Sequence, residues 1–87
     1  VESFKAAWAK RDPRGTMFVL VHDLPSVLRD TDPPLGPGKL EREHLLRYMV
    51  RLPLPIRSDP NGEDAIYYAD LLRALLKLSC PKDMELR

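Results

Sequence analysis

The nine residues TDPPLGPGK, at positions 31 to 39, constrain the fold of this chain more than any other stretch. They contain three prolines and two glycines, which excludes a continuous helix or strand and predicts a stiff connector. A chain of 87 residues is expected to form one small domain. The connector therefore divides a single domain into two halves.

Hydrophobic spacing predicts two helical segments on each side of the connector. In the first segment, Phe4, Ala7 and Trp8 lie on one side of a short amphipathic helix. The dipeptide Asp12-Pro13 ends that helix, because a residue before proline avoids the helical region. The predicted helices cover about residues 2 to 11, 24 to 30, 40 to 52 and 68 to 78.

Two short β-rich runs, MFVLV (17 to 21) and AIYY (65 to 68), predict strands that pair antiparallel through Val19 and Ile66. Each run lies in a loop between two predicted helices. Helix–loop–helix repeated twice is the plan of paired EF-hands. The sequence thus predicts an all-α fold, a paired EF-hand-like domain of four helices, with a two-stranded antiparallel ribbon joining the two loops.

The predicted domain covers residues 1 to 79, and residues 80 to 87 form a tail that leads to a downstream segment absent from this chain. The chain begins without Met and without a signal peptide, as an excised domain would. The predicted helix–loop–helix units cover residues 2 to 30 and 40 to 79, and the connector covers residues 31 to 39.

Both loops can be compared with the calcium-binding loop of an EF-hand, which needs oxygen ligands at alternate positions and glycine at the sixth. With Asp12 at the first position, the first loop has Arg14 at the third and Met17 at the sixth. A guanidinium repels the ion, so this loop is predicted not to bind calcium.

The second loop comes closer to a metal site, and any calcium binding there is expected to be weak. Gly62 lies at the fourth position rather than the sixth, and Pro60 stiffens the start. A polar turn followed by a helix is the alternative interpretation. The candidate metal ligands are Asp59, Asn61, Glu63 and Asp70.

Composition argues against several classes of function. A net charge of +1 implies no general attraction to nucleic acid or to acidic membranes. The apolar runs are too short to insert in a bilayer, and the single cysteine, Cys80, excludes an intrachain disulfide. No nucleophilic triad, zinc spacing or phosphate loop is present, so we expect no enzyme activity and no cofactor.

Several motifs occur together in an order typical of one family. An aromatic first helix runs into Asp12-Pro13, and PPLGPGK (33 to 39), RYMVRLPLPI (47 to 56) and IYYADLLRALLK (66 to 77) follow. In this combination the chain resembles the C-terminal cytoplasmic EF-hand-like domain of voltage-gated calcium and sodium channels. The connector and the turn after residue 51 favour the calcium-channel branch.

The resemblance implies a regulatory module on the cytoplasmic face of a multi-pass channel. Its partners would be other intracellular segments of the same channel and a downstream IQ-type segment with calmodulin, acting on gating and inactivation. A free-standing calcium sensor and a non-channel helical adaptor are the alternatives. The outward residues near the second strand suggest a groove for a channel peptide, formed by Leu54, Ile56, Tyr67 and Tyr68.

Overall fold

The described residues, 2–33 and 35–79 of a computed structural model, form four α-helices, one 3-10 turn and three strands. In chain order they are α1 (Glu2–Arg11), β1 (Phe18–Leu20), the 3-10 turn (Val21–Asp23), α2 (Leu24–Arg29), α3 (Arg42–Arg51), β2 (Arg57–Ser58), β3 (Asp64–Tyr67) and α4 (Tyr68–Ser79). The predicted tail, residues 80 to 87, lies outside the described residues, as does the side chain of Ser79.

The four predicted helices are confirmed, with bounds that differ by a few residues at most. α1 ends where Asp12 donates its backbone N–H to the Trp8 carbonyl at 2.9 Å, directly before Pro13. Pro25 occupies the first turn of α2, where its missing N–H costs no helical hydrogen bond. Local proline and apolar spacing therefore place the helices correctly.

The three strands form one antiparallel sheet with β3 in the centre, in the order β1-β3-β2. β1 pairs with β3 so that Val19 lies opposite Ile66, as predicted. On the other edge Arg57 lies opposite Ala65 and Ser58 opposite Asp64. The short ribbon predicted from the two β-rich runs is thus real, but it is only part of the sheet.

The prediction of an all-α fold with a two-stranded ribbon and paired EF-hands is wrong. The described chain is mostly helical with a small three-stranded sheet, and its helices do not show a paired EF-hand arrangement. The physical reason lies in residues 59 to 62, Asp-Pro-Asn-Gly. They form a tight hairpin turn, so the two residues before the expected loop, Arg57 and Ser58, become β2 and pair with β3.

The core lies between the helices and one face of the sheet, and aromatic rings from α1 meet α4 within it. Tyr68 packs its ring 5.2 Å from the rings of both Phe4 and Trp8, measured between centroids. Rings at such spacings add to the burial of apolar surface. The buried apolar residues are Phe4, Ala7, Trp8, Val19, Leu24, Val27, Leu28, Leu35, Leu45, Leu52, Ala65, Ile66, Leu71, Ala74 and Leu75.

The connector is folded against the core at a buried threonine. The Thr31 side chain is fully buried, and its hydroxyl donates a hydrogen bond to the Val27 carbonyl at 2.8 Å. Gly38 in turn donates its backbone N–H to the Thr31 carbonyl at 3.0 Å. Gly36 approaches so closely that a Cβ atom there would lie 2.5 Å from Thr31 Cγ2. The connector is therefore folded back on itself at the end of α2.

Candidate interaction surface and the two loops

Asp12 organises the loop between α1 and β1. Its carboxylate accepts hydrogen bonds from the Trp8 indole N–H at 3.1 Å and from the Met17 backbone N–H at 2.8 Å. It also accepts the backbone N–H of Thr16 at 2.9 Å and the Thr16 hydroxyl at 2.8 Å. Because an ionised carboxylate offers about four acceptor positions, these four bonds use its capacity. The loop is therefore held in place by N–H and O–H groups of the protein chain.

The hydrogen bonds to Asp12 also determine its protonation. Burial raises the pKa of the Asp12 carboxyl, but the hydrogen bonds from Thr16, Met17 and Trp8 outweigh burial, and the net pKa is lowered. Asp12 therefore stays ionised. The prediction that this loop binds no calcium rests on the exposed Arg14 beside it and stays a prediction.

Met17 carries backbone strain at the end of this loop. Its φ of 73° is in the left-handed region, which is uncommon for a residue other than glycine. Two hydrogen bonds hold it there, because its N–H donates to Asp12 and its carbonyl accepts the Tyr68 N–H at 2.9 Å. The first loop is thus tied directly to the start of α4.

The second loop is the hairpin turn between β2 and β3. The Asp59 side-chain Oδ1 accepts the backbone N–H groups of Asn61 and Glu63, both at 2.9 Å. Gly62 adopts φ of 83° and donates its N–H to the Asp59 carbonyl at 2.9 Å. Asp, Pro and Gly at the first, second and fourth positions are the pattern of a type I turn, and glycine in the left-handed region closes such a hairpin.

The four predicted metal ligands are thus divided between two places. Asp59, Asn61 and Glu63 lie together in the turn, whereas Asp70 lies at the start of α4. Across residues 2–33 and 35–79, no group of three or more His, Cys, Asp or Glu side chains could hold a metal ion. Weak calcium binding at this loop stays a prediction.

Asp70 instead connects α4 to β2. Its carboxylate is buried and accepts a two-pronged contact from Arg57, with Arg57 Nη2 3.2 Å from Asp70 Oδ1, while Arg73 Nη1 lies 3.4 Å from the same oxygen. The hydrogen bonds from Arg57 lower the pKa of Asp70 despite burial, and the same contact raises the pKa of Arg57. Sequence reasoning missed this pair, because Arg57 and Asp70 approach only once the hairpin has formed.

The four predicted interaction residues do not share one environment. Tyr68 packs into the aromatic cluster with Phe4 and Trp8, whereas Tyr67 packs against Phe18, with ring centroids 5.3 Å apart. Arg57 places its guanidinium carbon 5.6 Å from the Tyr67 ring centroid. The two tyrosines thus have separate neighbours, and they belong to different elements, since Tyr67 ends β3 and Tyr68 begins α4.

The other two members lie in the turn after α3. Leu54 is half-buried and packs against the core, while Ile56 is 54% exposed, which is unusual for a large aliphatic side chain. A role for these residues in binding a channel peptide stays a prediction. Of the four, Ile56 is exposed, whereas Leu54, Tyr67 and Tyr68 are half-buried.

A cleft of about 360 Å³ lies between the two loops. Arg11, Arg14 and Asp23 line one part of it, and Asp59 and Asn61 line another. Its lining mixes charges of both signs, so it favours neither an anion nor a cation.

No helix among the described residues has the length and apolar character needed to cross a bilayer.

Comparison with known proteins identifies the class. Residues 3–55 match the GPHH family, described as voltage-dependent L-type calcium channel, IQ-associated. This match covers more than half of the 87 residues, from α1 through the connector and α3 to the turn that follows. The chain belongs to this family, which is a family of channel regions and not of enzymes.

A curated relative points to the same context. Over 86 residues the chain is 28% identical to the dihydropyridine-sensitive L-type skeletal muscle calcium channel subunit alpha-1 of Cyprinus carpio. The alignment covers 98% of this chain but only 5% of the relative. The resemblance to a C-terminal calcium-channel domain is thereby confirmed, and the chain corresponds to a small part of a channel subunit of that kind.

Proposed function

We propose that this chain is a cytoplasmic C-terminal regulatory module of a voltage-gated cation channel of the calcium type. It couples intracellular channel segments, and a downstream IQ-type segment with calmodulin, to gating and inactivation. The observation that carries this proposal is the match of residues 3–55 to an IQ-associated calcium-channel family. Residues 1 to 79 act as the module, and residues 80 to 87 lead to the downstream segment.

The packing of the described residues supports a coupling role. The first loop is tied to α4 through the hydrogen bond between Met17 and Tyr68, and β1 is paired with β3. The Arg57–Asp70 pair connects β2 to the same helix. These contacts give a displacement at one element a direct path to the others. A coupling free energy of about 1–3 kcal/mol would change channel behaviour measurably.

The proposed contact surface for the channel partner is formed by Leu54, Ile56, Tyr67 and Tyr68. Ile56 provides exposed apolar area, Tyr67 is half-buried beside Phe18, and Tyr68 supports the surface from the core side. Aromatic and aliphatic residues of this kind are the common anchors of protein interfaces.

A titration of the chain with the IQ-type segment of the carp channel, loaded with calmodulin, tests the proposal. Isothermal calorimetry of the unaltered chain should show saturable binding, and Leu54→Ala with Ile56→Ala should weaken it by about ten-fold, as expected for loss of two apolar anchors. Leu76→Ala is the control, since it removes an exposed apolar side chain from α4, outside both proposed surfaces. Equal loss in both variants, or none in either, would reject this surface.

A further inference from the structure

A second surface, between α2 and α3, carries a different chemistry. A groove of about 350 Å³ is lined by Pro25, Ser26 and Arg29 of α2 and by Arg42, Leu45 and Leu46 of α3. Leu45 is buried at its floor, whereas Leu46 is 46% exposed at its edge. Val50, one helical turn beyond Leu46, is 85% exposed. The groove thus continues into an apolar stripe on α3 that no described residue covers.

Cations without acidic partners border this groove. A smaller depression of about 170 Å³ adjoins it at Ser26 and Arg29 and is also lined by Arg11, Asp30 and Lys39. Its one acid, Asp30, is paired with Lys10 at 3.7 Å. Within the part of the chain that the structure describes, no carboxylate lies within 4.0 Å of these four cations: Arg11, Arg29, Lys39 and Arg42.

Helix stability does not explain the position of Arg42. It is the first residue of α3, where the helix dipole disfavours a positive charge. The neighbouring Glu43 is directed to Arg47, with 3.7 Å between their charged atoms, and does not line the groove. Arg29 and Arg42 therefore line the groove from its two walls, and their side chains make no hydrogen bond or ion pair with another described residue.

We propose that the α2–α3 groove binds an acidic peptide segment that carries a large apolar side chain. The apolar side chain fills the space over Leu45 and Leu46, and carboxylates on either side of it bind Arg29 and Arg42. Guanidinium groups suit this role because they bind carboxylates through two parallel hydrogen bonds. The concave shape and apolar floor favour a side chain over a flat membrane surface.

This inference goes beyond the proposed function, because it concerns a different surface and can be measured without a channel. The probe is a fluorescein-labelled helical peptide with leucines at i, i+4 and i+7 and glutamates on both flanks of that stripe. One control peptide carries Gln in place of Glu, and another carries Ser in place of Leu. Fluorescence anisotropy gives the dissociation constants, and amide chemical shifts locate the bound peptide.

We expect the acidic peptide to bind about ten-fold more tightly than either control peptide, with a strong dependence on salt. Arg29→Gln with Arg42→Gln should weaken binding about ten-fold, as should Leu46→Ser. Lys5→Gln with Arg51→Gln is the matched control, since it removes two exposed charges outside the groove and should change binding less than about two-fold. Dispersed amide spectra establish that each variant is folded.

Three results would overturn the proposal. One is equal binding of the acidic and the Gln-substituted peptides. Another is that the amide chemical-shift changes caused by the peptide lie outside residues 25 to 29 and 42 to 46. The third is binding to phosphatidylserine vesicles that depends on Arg29 and Arg42 while the peptide does not bind, which would make this a membrane contact. None of these outcomes bears on the Leu54 and Ile56 surface, so the two proposals fail separately.

Discussion

At the scale of single residues, the Asp12 carboxylate organises the first loop, as a bound ion organises a metal-binding loop. Asp12 is 7% exposed and gathers donors from Trp8, Thr16 and Met17. The sequence places Asp12 at the start of the loop, but two of its four hydrogen-bond donors are backbone N–H groups, those of Thr16 and Met17. Such a network could not be predicted, because backbone N–H groups leave no mark on the sequence.

Asp12→Asn should lower the free energy of unfolding by about 2 kcal/mol at neutral pH, because hydrogen bonds to a charged acceptor are replaced by weaker or mismatched ones. Urea denaturation followed by circular dichroism measures this change. Asp32→Asn is the control, since Asp32 is exposed and its carboxylate makes no hydrogen bond or ion pair among the described residues. A similar loss in both variants would contradict the role given to Asp12.

The lowered pKa of Asp12 predicts a pH dependence with a definite sign. An unfolded Asp has a pKa near 3.9, and the folded value is lower, so the stabilisation is fully present above about pH 5 and is lost as pH falls through the folded pKa. The difference in unfolding free energy between the unaltered chain and Asp12→Asn should therefore shrink from pH 6 to pH 3. A difference that is constant or grows on acidification would show that Asp12 is not held ionised. Asp70 titrates in both proteins, so it cancels from the comparison.

At the scale of secondary-structure elements, the hairpin and the connector fix how the helices are placed. The helices could be predicted because prolines and apolar spacing are local signals. β2 was missed because two exposed residues, Arg57 and Ser58, show no alternation. The turn residues at 59 to 62 are compatible with a metal loop as well as with a hairpin, and only the pairing of β2 with β3 distinguishes the two. The burial of Thr31 needed tertiary information.

Two glycine substitutions test the hairpin and the connector separately. Gly62→Ala should cost about 1–2 kcal/mol, because only the left-handed backbone is strained and no atom lies within 4 Å of the new Cβ. Gly36→Ala should cost about 3 kcal/mol or more, since its Cβ would lie 2.5 Å from Thr31 Cγ2 and 2.7 Å from the Thr31 carbonyl oxygen. Chemical denaturation ranks the two, and the reverse order would contradict a connector packed tightly on Thr31.

At the scale of the whole molecule, the candidate surfaces lie on different elements around one core. One surface is formed by β3 together with the turn that follows α3, and the other is the groove between α2 and α3. Sequence reasoning suggested the first because its residues are aliphatic and aromatic. It missed the second because Arg29 and Arg42 come together only when the connector folds back. A module with two such surfaces suits the coupling of several channel segments.

The most direct test of the regulatory role is a chimeric channel. The 87-residue chain replaces the matching segment of the carp alpha-1 subunit, and patch-clamp recording compares its inactivation with that of the unaltered channel and of a channel lacking the segment. We predict that the chimera conducts and inactivates, and that Leu54→Ala with Ile56→Ala alters its inactivation while Lys5→Gln with Arg51→Gln does not. A chimera that behaves like the channel lacking the segment would contradict the regulatory role proposed for this chain.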